Sequence, residues 1–256
     1  SGTEGRTAIM GEAQATAGQM ALFCRSKNPA PKLTACSLEE LAEMFLEEGK
    51  AEGVRGDVAF AQSLHETGYF KYGGIVTPEM NNFAGIGALN GNATGQAASF
   101  PDPHTGVRAQ IQHLKAYAST EALTKACVDP RFSLVSRGSA PYVEWLGAAD
   151  NPNGKGWAVP GKGYGEKITA LLEQILRTED PSSPAAGTPE PAWAKLVAGY
   201  PQYQKDGLEA LAEAGILDSP ETWAGRFGRD MTVGEAVGIM GKLLAWMRTA
   251  GENPAG

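Results

Sequence analysis

The spacing of apolar positions predicts a mainly helical chain. Apolar residues recur at helical intervals in several stretches, and each stretch is followed by polar or glycine-rich sequence. These stretches are 9–23, 38–49, 58–66, 107–119 and 166–177, with a short helical segment at 143–147. Glycine and asparagine dominate the region from 73 to 103, which is typical of irregular loops or a short hairpin.

Capping signals delimit two of these helices. Ser37 and Glu40 form a capping box ahead of the 38–49 helix. Asp57 is the expected N-cap of the next helix, and Gly68 is its expected left-handed C-cap. Because residues 58–66 are apolar on most faces, we expect this helix to be buried.

A proline-rich run divides the chain into two domains. Residues 178–191 contain four prolines and no large apolar side chain, so they read as a linker. We place the first domain at 6–177 and a small helical domain at 192–250. The second domain contains an amphipathic pattern at 204–214 and a helix that begins at Thr232.

Composition narrows the partners of the protein. With 256 residues and 42% apolar composition, the chain can bury a hydrophobic core without the help of disulfides or structural metal ions. A net charge of −7 without a basic run argues against nucleic acid or an anionic membrane as partner. No stretch reaches the roughly 18 apolar residues of a membrane span, and no signal peptide opens the chain.

The sequence predicts neither a metal nor another cofactor. Asp102 and His104 lack a third ligand at a characteristic spacing. Cys24, Cys36 and Cys127 form no CxxC pair, although a disulfide between Cys24 and Cys36 stays open.

Glu66 is the residue that the pattern singles out for catalysis. It lies in the last turn of the buried helix, where the negative end of the helix dipole and burial both raise the pKa of a carboxyl group. A carboxylic acid that stays protonated near neutral pH can protonate a glycosidic oxygen. The alternative is a structural glutamate paired with an arginine.

The segment after Glu66 combines aromatic rings, amides and glycines. Sugar-binding clefts use this composition, because rings cover the apolar faces of sugars and amides bind hydroxyl and N-acetyl groups. A glycine-rich structural turn is the other interpretation. The candidate substrate-binding residues are Tyr69, Tyr72, Asn81, Asn82, Phe83 and Gly85.

Two spaced motifs carry a family resemblance. Residues 57–70, DVAFAQSLHETGYF, and 81–88, NNFAGIGA, closely resemble the bacterial glucosaminidase family, glycoside hydrolase family 73. Further matches lie at 99–103, 106–114 and 164–168. The resemblance implies a mainly α (α+β), lysozyme-like catalytic domain and a secreted, cell-wall-associated enzyme. It also implies hydrolysis of the β-1,4 bond after N-acetylglucosamine in peptidoglycan, with Glu66 as catalytic acid.

The second catalytic group is open. Many members of the family carry a carboxylate in a hairpin after the NNF-type motif, whereas residues 89–98 contain no acid. Asp102 could activate water, although its flanking prolines also suit a structural turn; otherwise the 2-acetamido group of the substrate attacks its own anomeric carbon. Tyr164 matches the family tyrosine and is expected to orient the acetamido group or water, unless it is core material. His65 is expected to pack within the fold.

The second domain loosely resembles a single S-layer-homology module. Such modules bind wall polysaccharide, so this one could bind the wall, pack on the catalytic domain or act as a spacer. Two functions compete with the glucosaminidase assignment. One is a muramidase or lytic transglycosylase on the same fold, and the other is a non-catalytic cell-wall-binding protein.

Overall fold

The structure is a computed structural model that describes residues 5–87, 96–180, 193–200, 202–217 and 219–251. The chain divides into two compact units, Ser1–Ala185 and Ala186–Gly256. The helices of the first unit are α1 (Ala17–Lys27), α2 (Leu38–Glu52), α3 (Gly56–Thr67), α4 (Pro103–Ala118) and α5 (Tyr164–Leu176). Those of the second are α6 (Gln202–Glu213), α7 (Pro220–Ala224) and α8 (Val233–Gly251). Across the described ranges, β structure is limited to isolated bridges, which confirms a mainly α fold.

Helix α3 is the centre of the first unit, as its apolar faces predict. It packs against α2 and α5. Phe60 on α3 makes edge-to-face contacts with Phe45 of α2, at 5.5 Å between ring centroids, and with Phe70, at 5.9 Å. Phe70 in turn contacts Phe83 at 6.2 Å. This buried aromatic cluster fixes the turn after α3 and the loop around Phe83 against the same helix.

Ion pairs join α2 to α4 and to the segment that follows α4. Lys115 Nζ lies 3.0 Å from Glu52 Oε2, and both side chains are nearly fully buried. Arg108 makes a bidentate pair with Glu48, with both nitrogen–oxygen distances at 3.0 Å. Glu52 also accepts the backbone N–H of Thr124 at 2.9 Å. These pairs fix the position of α4 against α2. Removal of one partner would leave a buried charge without its counter-charge, which destabilises the fold.

The first predicted helix begins later than expected. Helix α1 starts at Ala17 instead of residue 9, because Thr16 and Gln19 form a capping box at that point. The preceding residues are not helical, and Ala8 and Met10 form isolated bridges with distant parts of the chain.

The structure corrects the start of α3 and confirms its end. The predicted N-cap, Asp57, lies inside the first turn, and its buried carboxylate pairs with Arg55 and accepts the N–H of Gln14 at 2.9 Å. The predicted C-cap, Gly68, is left-handed with a φ of 59°.

The other helix boundaries differ from the predictions by a few residues. The capping box ahead of α2 is present, with Glu40 N–H bonded to Ser37 Oγ at 3.1 Å. Helix α4 begins at Pro103, four residues before the predicted start, because Asp102 caps it. The predicted segment 143–147 is a single turn of 3-10 helix, Val143–Trp145.

The second unit has its own small core. The buried side chains that form this core cluster are Trp193, Val197, Leu208, Leu217 and Ala224. The predicted capping box at the start of α8 is present, with Glu235 N–H bonded to Thr232 Oγ1 at 3.2 Å. Helix α7 was not predicted. Most of the predicted linker falls in residues 181–192, outside the described part of the chain, so the domain boundaries stay a prediction. No described helix is long and apolar enough to cross a bilayer.

Candidate active site

Glu66 lies one residue before the end of α3, as predicted. Its side chain is open to solvent on one side, yet protein atoms surround much of the carboxyl group. Burial raises the pKa of Glu66, and the hydrogen bond from Tyr164 lowers it by less. The group therefore keeps its proton to a higher pH than an ordinary glutamate does.

A left-handed turn follows Glu66. Gly68, Tyr69 and Phe70 have φ values of 59°, 59° and 58°, which cost bulky residues conformational energy. The turn is held by specific bonds: Phe70 N–H donates to Thr67 Oγ1 at 2.8 Å, and Asn28 Nδ2 donates to the Tyr69 carbonyl at 2.8 Å. This bracing reverses the chain within a few residues of Glu66.

Tyr164 contacts Glu66 directly. It is the first residue of α5, which packs against α3, and its ring is nearly buried. Its hydroxyl donates a short hydrogen bond to Glu66 Oε1 and accepts one from Gln62 Nε2 at 2.9 Å. Burial and the Glu66 carboxylate both raise the pKa of Tyr164, so its phenol remains a proton donor. His65 packs edge-on against the ring, with centroids 5.4 Å apart.

The glycine-rich loop meets Glu66 at Gly85. A Cβ placed on Gly85 would lie 3.8 Å from Glu66 Oε2, and Gly85 has a φ of 64°. Asn82 is buried and holds the loop, because its Nδ2 donates to the carbonyls of Ile86 at 2.8 Å and Ala98 at 2.9 Å. The amide of Asn81 donates to the carbonyl of Phe100 at 3.1 Å.

This arrangement changes the roles predicted for the loop residues. Asn81, Asn82 and Phe83 are at most 7% exposed. Their side chains are engaged inside the protein, so they shape the loop and do not face a sugar. Gly85 is the predicted binding residue of this loop that lies beside the Glu66 carboxyl group, since a Cβ placed on it would be 3.8 Å from Glu66 Oε2.

Tyr69 and Tyr72 are half-buried beside other parts of the first unit. Tyr69 packs edge-on against Phe23, with ring centroids 6.4 Å apart, and lines a shallow depression with His65 and Lys167. The Tyr72 hydroxyl is buried without a hydrogen-bond partner within the described residues. Burial raises its pKa. Their role in substrate binding stays a prediction.

Asp102 is engaged as the N-cap of α4. Its Oδ1 accepts the backbone N–H of Thr105 at 2.8 Å, and the Thr105 hydroxyl lies 3.0 Å from both carboxylate oxygens. The structure thus gives Asp102 the structural-turn role that its flanking prolines suggested. The hairpin residues 88–95 lie outside the described part of the chain.

The described residues offer neither a metal site nor a disulfide. No group of three potential ligands is brought together among them. Cys24 and Cys36 are free thiols, and burial raises the pKa of both.

The sequence interpretation missed three polar residues at the site. Gln62, Ser63 and Gln110 are fully buried and hydrogen-bonded to one another or to Tyr164. One signal was present: Gln62 lies four residues before Glu66, on the same helical face, in a stretch that is otherwise apolar. A buried amide there requires polar partners.

Comparison with known proteins covers the part of the chain that contains this site. The model of the Glucosaminidase family, described as mannosyl-glycoprotein endo-beta-N-acetylglucosaminidase, matches residues 42–177. An uncharacterized protein of Borreliella burgdorferi is 42% identical over 146 residues, which are 57% of this chain and 67% of the relative. No solved structure matches. The matched region contains Glu66, the Gly85 loop and Tyr164, and it spans more than half of the chain. The protein therefore belongs to the glucosaminidase family and is a glycoside hydrolase.

Proposed function

We propose that the protein is an endo-β-N-acetylglucosaminidase that cleaves the β-1,4 bond between N-acetylglucosamine and N-acetylmuramic acid in peptidoglycan. The observation that carries this proposal is the pairing of Glu66 with Tyr164. Tyr164 occupies Glu66 Oε1, and Oε2 stays on the side of the Gly85 loop. Because its pKa is raised, Glu66 can give its proton to the glycosidic oxygen as the bond breaks.

We propose the 2-acetamido group of the substrate as the nucleophile. Among the described residues, no hydrogen bond joins Glu66 to a second carboxylate, and Asp102 is engaged as the cap of α4. In the substrate-assisted route, the acetamido oxygen attacks the anomeric carbon while Glu66 protonates the leaving oxygen, and water then opens the cyclic intermediate. Glu66 is the essential carboxylate in this route. Inversion through Asp102 is the alternative.

The choice of peptidoglycan is supported by a cation beside the glycine loop. Arg131 lies against Gly87, two residues from Gly85, with its Nη1 3.7 Å from a Cβ placed on that glycine. Its side chain is half-buried, and no hydrogen bond or ion pair engages its guanidinium within the described ranges. Peptidoglycan carries free carboxylates on its stem peptides, and on the lactyl groups of strands that lack a peptide, whereas neutral chitin oligomers carry none. Arginine suits carboxylate recognition.

Product analysis tests the proposed bond. Digestion of purified sacculi followed by borohydride reduction should yield reduced N-acetylglucosamine at the new ends. Reduced muramic acid would assign a muramidase, and anhydromuramic ends would assign a lytic transglycosylase. No products beyond those of an enzyme-free control would indicate a wall-binding protein without activity.

A substitution tests the acidic substrate. Arg131→Gln should raise KM about tenfold on glycan strands with free carboxylates, because one charge-assisted contact is lost. It should leave KM on chitin oligomers unchanged. Arg137 provides a matched control, because its guanidinium already donates to the carbonyls of Ser119 and Glu121. An equal change on both substrates for Arg131→Gln would contradict the assignment.

A further inference from the structure

A chain of hydrogen bonds runs through the protein interior and ends on Glu66. It starts at the Ala59 carbonyl, which accepts a bond from Gln110 Nε2 at 2.9 Å. Gln110 Nε2 also donates to Gln62 Oε1 at 2.9 Å, and Gln62 Nε2 donates to the Tyr164 hydroxyl at 2.9 Å. The Tyr164 hydroxyl then donates to Glu66 Oε1. The chain links α3, α4 and α5.

Burial makes this chain obligatory. Gln62 and Gln110 have no solvent exposure, and Tyr164 has 7%. The side-chain oxygen of Gln110 accepts a hydrogen bond from the Ser63 hydroxyl at 2.9 Å. Both ends of each side-chain amide therefore have a hydrogen-bond partner. A buried amide without a partner would destabilise the fold, so the native packing of the three helices requires these hydrogen bonds.

The direction of every bond follows from the first one. A backbone carbonyl only accepts, so the NH₂ end of Gln110 must face Ala59. The second hydrogen of that NH₂ group goes to Gln62, which places the Gln62 oxygen there and turns the Gln62 NH₂ end toward Tyr164. Tyr164 therefore accepts from Gln62, and its single hydrogen points to Glu66 Oε1.

This polarity decides which oxygen of Glu66 carries the catalytic proton. Because Oε1 already accepts the hydrogen of Tyr164, the acidic proton resides on Oε2, the oxygen 3.8 Å from a Cβ placed on Gly85. We propose that Gln62 and Gln110 are positioning residues that, through Tyr164, keep the proton of Glu66 on Oε2 for delivery to the glycosidic oxygen. This inference rests on the proposed role of Glu66 as the acid.

The same chain stabilises the product of proton transfer. Once Glu66 has given up its proton, the Tyr164 hydrogen bond supports the carboxylate on Oε1. If Gln62 no longer fills the lone pair of Tyr164, the hydroxyl is free to rotate away, and the carboxylate loses this support. The pKa of Glu66 then rises, because the Tyr164 bond is what opposes the effect of burial.

Gln62→Met removes the bond to Tyr164 with little change in volume. We expect kcat to fall about tenfold to 100-fold with KM nearly unchanged, as for a misaligned catalytic group. The high-pH limb of kcat/KM, which reports loss of the Glu66 proton, should move to higher pH. The glycan that the wild-type protein cleaves fastest serves as the substrate, so this test is independent of which bond is cut.

Gln112→Met is the matched control. Gln112 is as fully buried as Gln62 and lies on α4, as Gln110 does. Its amide bonds the Ala126 carbonyl and the Val128 N–H, outside the chain that leads to Glu66. This variant should lose stability without moving the high-pH limb. If Gln62→Met and Gln112→Met lose activity alike and neither shifts the limb, the positioning role is refuted.

Two further variants keep the inference testable if Gln62→Met folds poorly. Gln62→Glu is nearly isosteric, and once ionised the new carboxyl group at position 62 only accepts, which draws the Tyr164 hydrogen away from Glu66. At pH values where this buried carboxyl group is ionised, kcat should fall as steeply as that of Gln62→Met, and at lower pH, where the protonated group can again donate to Tyr164, kcat should recover. In a Tyr164→Phe background, either substitution should have little additional effect on kcat, because the link to Glu66 is already absent. Full additivity would overturn the proposal.

Discussion

At the scale of the residue, the raised pKa of Glu66 lowers the stability of the folded protein at neutral and higher pH. Its pKa is raised in the folded protein, mainly by burial, so folding favours the protonated form. The stability that this group contributes is fully present below its unfolded pKa and is lost as pH rises through the raised value.

Glu66→Gln should therefore be more stable than the wild type at neutral and higher pH, with the difference vanishing in acid. Chemical denaturation at a series of pH values measures this difference. A variant that is less stable at every pH would show that the carboxylate is favourably paired in the folded state. Because solvent reaches the group, we expect a modest effect.

Asp102 offers a second test at this scale. Asp102→Asn keeps a side-chain oxygen for the Thr105 N–H, so it should retain stability and lose less than about tenfold in kcat, below the usual contribution of a catalytic base. Asp102→Ala should cost about 1 kcal/mol of unfolding free energy through the lost cap. An inactive but stable Asp102→Asn would move the mechanism to inversion.

The position of Glu66 near the end of a buried helix was predictable because its signal is local. Glu66 was identifiable because an apolar helix, a terminal acid and a capping glycine are consecutive in sequence. Its contact with Tyr164 spans 98 residues, and the link from Gln110 to Gln62 spans 48. Such contacts depend on how helices pack, which periodicity does not specify. The same limit explains Asn82, whose amide turned inward to bind its own loop.

At the scale of the element, the Gly85 loop sets the space beside Glu66 Oε2. Gly85→Ala should lower kcat by about tenfold or more, because the added methyl group crowds Oε2 and strains a residue with positive φ.

Gly154→Ala is the matched control for backbone strain. Gly154 has a φ of 63°, and nothing lies within 4 Å of an added Cβ, so that variant should lose stability but keep its activity. Equal kcat values for the two variants would contradict the placement of Gly85 beside the acid.

Helix ends were predicted correctly where the sequence carries a clear capping motif. The capping box of α2 and the C-cap glycine of α3 were identified because each has a distinct local chemistry. The predicted start of helix α1 was too early, because Ile9 and Ala15 are buried in the core from a segment that is not helical. Helix α7 has only five residues, too short for a periodic pattern to show.

At the scale of the whole molecule, two residues just after the predicted boundary at residue 177 bond to the first unit. Gln19 Nε2 donates to the Thr178 carbonyl at 3.0 Å, and Thr16 donates to Asp180. A chain ending at Asp180 should fold and keep activity on short glycans. One ending at Arg177 should lose about 1 kcal/mol of unfolding free energy with these bonds. Identical melting temperatures would contradict this.

The second unit remains a proposed wall-binding module. Helix α8 carries several exposed apolar side chains, including Val233, Val237, Met240 and Met247. If residues 192–250 anchor the enzyme, the chain ending at Asp180 should lose activity on sacculi while keeping it on soluble glycans, because tethering raises local concentration. Unchanged activity on sacculi would remove the support for anchoring. The secreted, wall-associated location is a proposal tied to this substrate.

The most direct test of the account is the activity of Glu66→Gln on sacculi, measured as new N-acetylglucosamine reducing ends. Glutamine is nearly isosteric and can still accept the Tyr164 hydrogen, but it has no acidic proton to give. The account predicts a loss of at least about 100-fold in turnover, the usual contribution of a general acid, in a variant that melts no lower than the wild type. A folded variant with near-normal release of these ends would contradict Glu66 as the catalytic acid.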